Sequence, residues 1–268
     1  MSGVSGRRLA TEIVPIAALG DADTRTLFAL FARHYEHVDR ARFAADLAEK
    51  DCVIVLRERG AGVIRGFSTQ QVLSFSVDGE PLRALFSGDT IIEPAFWGDQ
   101  ELVRGWCRFA GTVRASSPGV RLFWFLISKG YRTYLYLPLF FRRYLPAPGV
   151  SPTPFEQAAI DTLAEMKFAP YYRRDSGLLE FPDRRGNLTP ALAAVPEGRR
   201  ADPRVRFFLE RNPTYAIGTE LVCLAEISPG NMRSIAGRAL DEAQAAPAVR
   251  GAAEGEPMSA TLGAAAAR

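Results

Sequence analysis

The spacing of apolar positions changes several times along the chain, and each change marks an element. "TEIVPIAAL" (11–19) is a strand-like run, and Asp21 or Asp23 then caps a helix with Leu27, Phe28, Leu30 and Phe31 on its apolar face. Phe43 and Leu47, four apart, predict a second helix over about 40–49. "CVIVLRE" (52–58), "VIRGFSTQQVLSFSV" (63–77) and "LRALFSGDTIIE" (82–93) follow as strands. The turns between them, "RGAG" and "VDGEP", are short, so the three strands form an antiparallel meander.

The period then lengthens. Leu102, Trp106, Phe109 and Val113 make one stripe of an amphipathic helix over 99–114. "VRLFWFLIS" (120–128) is continuously apolar, as a strand buried on both faces would be. Strand, helix, buried strand predicts a βαβ unit with a right-handed crossover. "KGYRTYLYLPLFFRRYLP" (129–146) opens as a turn and continues as a helix bent or broken at Pro138. After the proline-rich 146–154 come a helix (155–168) and a mostly looped stretch (188–203). A short helix follows with Asp202 as N-cap, Pro203 at N1 and a stop at Asn212-Pro213, then a last strand, "TELVCLAEI" (219–227). From about 239 the chain is Ala/Gly-rich without periodicity, the pattern of a disordered tail.

Composition narrows the function classes. With 268 residues, 47% of them hydrophobic, the chain can bury the core of one large domain or two small ones. A net charge of +3 is too small to imply nucleic acid, and no such partner is expected. All 33 basic residues except Lys50, Lys129 and Lys167 are arginine; genome composition accounts for that, although arginine forks also suit an acidic partner. Cys52, Cys107 and Cys223 are odd in number, far apart and set in apolar sequence, which predicts buried thiols in a reducing compartment. The arginines near the start have no apolar segment behind them, so no signal peptide is expected. The apolar region 120–146 is broken by Lys129, Arg132, Arg142 and Arg143, short of the roughly 20 residues a membrane span needs. A cytoplasmic protein is expected. "LPLFFRRYLP" mixes apolar and basic residues in the manner of a lipid-associating segment, but a membrane is not the expected partner.

A strand and two helices, a meander, then a helix crossing to a buried strand: over roughly 11–145 this order resembles the GNAT acyltransferase superfamily. Its local counterpart is "IIEPAFWGDQELVRGW" (91–106), a strand end, a proline-containing loop, a glycine and a helix. The resemblance implies an α/β fold, a GNAT-like mixed sheet (antiparallel meander plus a βαβ unit) with helices on both faces. The organisation expected is a GNAT-like domain over 1–145, a C-terminal extension packing on it over 146–238, and the tail over 239–268.

The resemblance also implies a loop binding the pyrophosphate of an acyl-CoA through backbone N–H groups at a helix N-terminus. The positions it assigns to the donor are Ile91, Ile92, Trp97, Gly98, Asp99 and Gln100. Pro94 and Gly98 match the family text, whereas Trp97 stands where a basic or amide residue is commoner, and Gln100 and Leu102 replace small residues. Read locally, the same stretch is a capped helix, with Gly98 as N-cap and Glu101 at N3.

Acyl transfer from acyl-CoA or acyl-phosphopantetheine, by direct attack of an amine or hydroxyl on a small-molecule acceptor, needs a base for the acceptor and an acid for the leaving thiolate. Asp89 and Glu93 are the candidate bases, four apart on the strand that would border the thioester. Asp89 also reads as part of Ser-Gly-Asp-Thr hydrogen bonding at a bulge near Gly88. By resemblance a tyrosine after the buried strand is the acid; Tyr131, Tyr134 and Tyr136 are available, and Tyr134 is preferred for its place early in the helix. Phe123, Trp124, Phe125, Phe140, Phe141 and Tyr144 read equally as core or as the lining of an apolar pocket. His34 and His37, the only histidines, lack a third ligand, so no metal is expected; they suit a partly exposed helix C-terminus or an acceptor site. The pairs Arg142-Arg143, Arg173-Arg174, Arg184-Arg185 and Arg199-Arg200 would dock an acyl carrier protein if they clustered. The competing class is a catalytically inactive GNAT-like binding or structural module.

Overall fold

The chain begins with β1 (Leu9–Pro15), α1 (Asp21–His34), β2 (Tyr35–Glu36) and α2 (Arg40–Ala48). The meander follows as β3 (Cys52–Glu58), β4 (Ile64–Val77) and β5 (Glu80–Ile92), then α3 (Glu101–Ala115) and β6 (Arg121–Ser128). Next come α4 (Tyr131–Tyr134), α5 (Tyr136–Phe140), α6 (Pro154–Phe168), β7 (Tyr172–Arg173), β8 (Leu178–Leu179) and β9 (Asn187–Leu188). There follow α7 (Pro190–Ala193), α8 (Glu197–Arg200), α9 (Pro203–Arg211) and β10 (Glu220–Glu226). The structure is a computed structural model that describes residues 8–183, 186–233, 237 and 240. The tail expected from 239 therefore lies outside the described residues, Leu240 excepted.

β3, β4 and β5 pair antiparallel in sequence order, and β1 pairs antiparallel with β3. α3 then carries the chain to β6, which runs parallel to β5 from Leu82↔Arg121 to Ser87↔Leu126. The meander and the βαβ unit thus form one mixed sheet in the order the resemblance implies. The sheet continues beyond it. β10 pairs antiparallel with β6 and with β8, giving eight strands in the order β1-β3-β4-β5-β6-β10-β8-β7. The residues after 146 do more than pack on the sheet: they extend it. β6 consequently has a strand on each side, and its unbroken apolar run is the mark of that interior position.

Helices cover both faces. Ile54 and Leu56 point to the layer of α3, α4, α5 and α9, whereas Val53 and Val55 point to α1 and α2. α6 covers the second face further along, over Phe86, Phe125 and Leu224. α3 lies close against the sheet: a Cβ on Gly105 would stand 2.8 Å from the Ile54 Cγ2. Trp106, Trp124, Phe140 and Phe141 stack in the first core, with the two indoles 4.7 Å apart. "LPLFFRRYLP" belongs to this interior, since Leu137, Phe140, Phe141 and Leu145 are buried, and that overturns its reading as a lipid-facing segment. No helix among the described residues is long and apolar enough to cross a membrane. The three cysteines are free and buried.

Some boundaries differ from expectation for local reasons. Gly20 is the N-cap of α1, so Asp21 and Asp23 lie inside its first turn and favour the helix through its dipole. The helical break after β6 falls at Leu135, and Pro138 sits in the first turn of α5, where a missing N–H is tolerated. The stretch 188–203 holds two single-turn helices, α7 and α8.

Candidate functional site

β5 and β6 part company after Ser87↔Leu126. β5 continues to Ile92 paired only with β4, and β6 ends at Ser128. At the parting, Ser68 pairs with Thr90 and Gln70 with Ser87, so Thr69 faces two residues, Gly88 and Asp89. This is a β-bulge on β5, the alternative that the Ser-Gly-Asp-Thr run offered, and it re-aims the strand. Gly88 is required there by close approach: a Cβ would meet the Thr69 Oγ1 at 2.6 Å. The space opened between the strands belongs to a cavity of about 750 Å³. Its walls come from α1, α2, the end of β5, the loop before α3, the segment after β6, and the C-terminal stretch around Gly186, Leu188, Leu192 and Arg199.

Asp89 lies on this wall, half-buried. Its carboxylate makes no hydrogen bond or ion pair among the described residues. Burial, with the negative charge of Asp46 next in importance, pushes its pKa up to about 7 against the pull of Lys129 and Lys50. Those lysines have acids of their own: Lys50 Nζ is 2.7 Å from Asp46 Oδ1, and Lys129 Nζ is 3.2 Å from Glu220 Oε1. Tyr35 lines the same space, with Lys129 Nζ 5.4 Å from its ring centre. Burial first, then the carboxylates of Asp89 and Glu220, raise its pKa and keep the phenol protonated. Pairing of β2 with β9, Tyr35↔Leu188 and Glu36↔Asn187, draws the C-terminal stretch over this part of the cavity.

The residues expected at the donor site converge. Ile91, Ile92, Trp97, Gly98, Asp99 and Gln100 line the cavity together with Asp89. Glu93 and Tyr134 do not. The Glu93 carboxylate is held by Arg33 at 2.7 Å and Arg65 at 3.2 Å, just past the end of the strand. Tyr134 is 0% exposed; its hydroxyl donates to the Pro146 carbonyl at 2.9 Å, and its ring packs among Tyr144, Phe207 and Phe208. Of the three tyrosines offered after β6, Tyr131 and Tyr136 are the ones on the cavity wall. Phe123, Trp124, Phe125, Phe140, Phe141 and Tyr144 are core, and none lines this cavity. The phenylalanines that line it are instead Phe31, Phe43, Phe86, Phe168 and Phe181. His34 and His37 also line it; His34 is buried, contrary to expectation, and its Nδ1 donates to the Leu30 carbonyl at 2.8 Å. Among the described residues no group of three potential ligands stands ready for a metal.

The start of α3 differs from the capped reading of its sequence. Gln100 is the N-cap and Glu101 the first helical residue, so Gly98 does not cap and no capping box forms. Asp99 Oδ1 accepts from the Glu101 N–H at 2.9 Å, and its Oδ2 accepts from the N–H groups of Arg8 (3.1 Å) and Leu9 (3.2 Å). The buried Glu101 accepts from Arg104 and Thr11. The Trp97 and Asp99 N–H groups donate to Pro94 and Phe96. The N–H groups of Trp97, Asp99 and Glu101 are therefore committed, those of Gly98, Gln100, Leu102 and Val103 have no acceptor among the described residues, and two carboxylates occupy the positive end of the helix.

The arginine pairs are spent separately. Arg143 pairs with Glu156, Arg173 with Glu180, and Arg174 with Asp161 and Glu165, while Arg142 donates to the Gly230 carbonyl. Arg199 lines the cavity, and Arg184-Arg185 lies outside the described residues. Tyr35, Lys129 and Glu220 went unnoticed in the sequence. Glu220 carries a visible signal as an acid opening a strand with an apolar interior, and Lys129 as one of three lysines among arginines.

No family model matches the chain, and no curated protein matches it. Solved structures give partial likenesses. A probable N-acyltransferase of unknown function from Enterococcus faecalis is 10% identical with a TM-score of 0.39, over 50% of this chain and 33% of its own, so only a third of that protein's length is matched. The GNAT family N-acetyltransferase YhbS of Escherichia coli, solved with CoA, is 18% identical with a TM-score of 0.36, over 53% of this chain and 73% of its own. An acetyltransferase of Trypanosoma brucei is 16% identical with a TM-score of 0.39, over 54% of this chain and 99% of its own.

Proposed function

We propose that this chain is an acyltransferase that moves an acyl group from a thioester, carried by CoA or by the phosphopantetheine arm of an acyl carrier protein, to an amine or hydroxyl of a small molecule. The observation that carries this reading is the unpartnered Asp89 carboxyl, poised near pH 7 in the gap where β5 and β6 separate. A general base works best with a pKa close to the working pH, because it is then both available and basic enough. Beyond Ser87 and Leu126 the facing edges of the two strands have lost each other as partners, which supports the gap as a berth for an extended, amide-bearing arm.

In this reading Asp89 takes the proton of the acceptor as its nitrogen or oxygen attacks the thioester carbonyl carbon. The C–S bond then breaks, and the leaving thiolate takes a proton from a tyrosine of the cavity wall, Tyr131 or Tyr136, which is restored through the proton held by Asp89. No covalent enzyme intermediate is needed. Glu93 and Tyr134 have no part, since neither reaches the cavity. The apolar lining suits an acceptor or acyl group of some bulk.

The test is calorimetric titration with acetyl-CoA and octanoyl-CoA, followed by release of free thiol in the presence of a panel of primary amines and alcohols. Saturable binding with acceptor-dependent thiol release supports transfer. A second reading, a non-catalytic binding module, is favoured by the carboxylates at the start of α3, and it predicts binding without thiol release.

A further inference from the structure

Resting on the acyl-transfer reading for the identity of the ligand, we infer that the donor's phosphates are held by two side chains, Arg132 and Arg199, in addition to the N–H groups at the start of α3. A phosphopantetheine donor brings at least one charged phosphate to the mouth of the cavity, and that charge needs cations or uncommitted N–H groups. The start of α3 leaves the N–H groups of Gly98, Gln100, Leu102 and Val103 without acceptors among the described residues, but it also places the Asp99 and Glu101 carboxylates there, so cations from elsewhere are needed to balance the phosphate charge.

Arg132 stands across from that loop. Its guanidinium lies 4.9 Å from the Trp97 ring centre and 4.7 Å from that of Tyr131, and it donates one bond, 2.8 Å long, to the Leu192 carbonyl. Stacking on two rings and bonding to a carbonyl fix the fork without neutralising it, and among the described residues no carboxylate pairs with it. A guanidinium has five N–H donors, so most of the fork is left for a ligand. Trp97, out of place in a backbone cradle, thereby acquires a role: it is the platform that orients Arg132.

Arg199 enters the same cavity from α8, exposed and without an ion pair among the described residues. The acid it influences, Asp202, is bonded at 2.9 Å by Arg204. Leu192 and Pro196 line the cavity between the Arg132 contact and Arg199, so one C-terminal stretch both receives Arg132 and delivers the second cation. The clamp spans the two halves of the sequence, which is why no local motif announces it.

The experiment compares a phosphate-bearing with a phosphate-free ligand. CoA and pantetheine are titrated into wild type, Arg132→Met, Arg132→Lys and Arg199→Met, with circular dichroism as the check on folding. Affinity for CoA should fall about ten- to a hundred-fold in each Met variant, the worth of a charge-assisted contact, with pantetheine unaffected. Arg132→Lys should recover part of the loss. Wild-type CoA binding in both Met variants, or equal losses for CoA and pantetheine, would overturn the clamp and leave acyl transfer standing. If wild type binds neither ligand, nor a phosphopantetheine-bearing acyl carrier protein, acyl transfer fails and the clamp with it. Binding of the carrier protein but not of CoA, with the same Met-variant losses, supports the clamp and identifies the carrier as the source of the phosphate.

Discussion

Asp89 binds its proton more tightly in the folded than in the unfolded chain, since its pKa rises from 3.8 to about 7. Its contribution to stability is therefore complete below the ordinary carboxylate value, declines as pH rises toward 7, and is lost above it. Asp89→Asn removes that dependence. Thermal melts should show no gain at pH 4 and a higher Tm at pH 8, by about 2–4 °C for each kcal/mol of relieved cost. An equal shift at both pH values would mean that Asp89 titrates normally. Tyr134→Phe deprives the Pro146 carbonyl of its donor and should cost about 1–3 kcal/mol in urea unfolding, with turnover per folded molecule unchanged. A selective fall in turnover would return Tyr134 to the chemistry. The sequence could not make this choice: Tyr131, Tyr134 and Tyr136 occupy neighbouring positions of one short helical stretch, and only the packing of α9 against α4 decides which hydroxyl is enclosed.

At the scale of elements, periodicity carried the meander, α3 and β6, because each buries a face or both faces and its spacing records that burial. The bulge was visible as Ser-Gly-Asp-Thr, a run with a glycine where the strand needs close approach. The start of α3 was misread because its acids bond to residues far away in the chain, Arg8, Leu9 and Thr11, and distant partners leave no local mark. The seating of α3 gives a prediction of opposite sign to helix propensity. Gly105→Ala would gain up to about 1 kcal/mol in an exposed helix. Against Thr11 and Ile54 it should instead destabilise by about 1–3 kcal/mol, read from the urea midpoint. A raised midpoint would show that α3 is not tightly seated on β1 and β3.

At the scale of the whole molecule, the pairing of β10 with β6 and the crossing of the C-terminal stretch over the cavity make the two halves of the sequence one structure. Neither was legible, since strand pairing between residues about a hundred apart has no signature in either strand. One global hint was available in the three lysines of the sequence: Lys129 lines the cavity, and Lys50 and Lys167 each lie 5.6 Å from the ring centre of Phe86, itself a lining residue. A chain truncated after residue 145 loses β10, Glu220 and the β9 cover, and exposes the apolar edge of β6. It should lack a cooperative thermal transition, and a sharp transition in that fragment would restore a self-sufficient N-terminal half.

The most direct test follows thiol release from acetyl-CoA with the amine panel from pH 5 to pH 9, in wild type and Asp89→Asn. A rising limb centred near pH 7 in wild type, lost in the variant along with about 10²–10⁴ of the rate, is the expected result. Wild-type rate and pH profile in Asp89→Asn would contradict the role of Asp89 as the base.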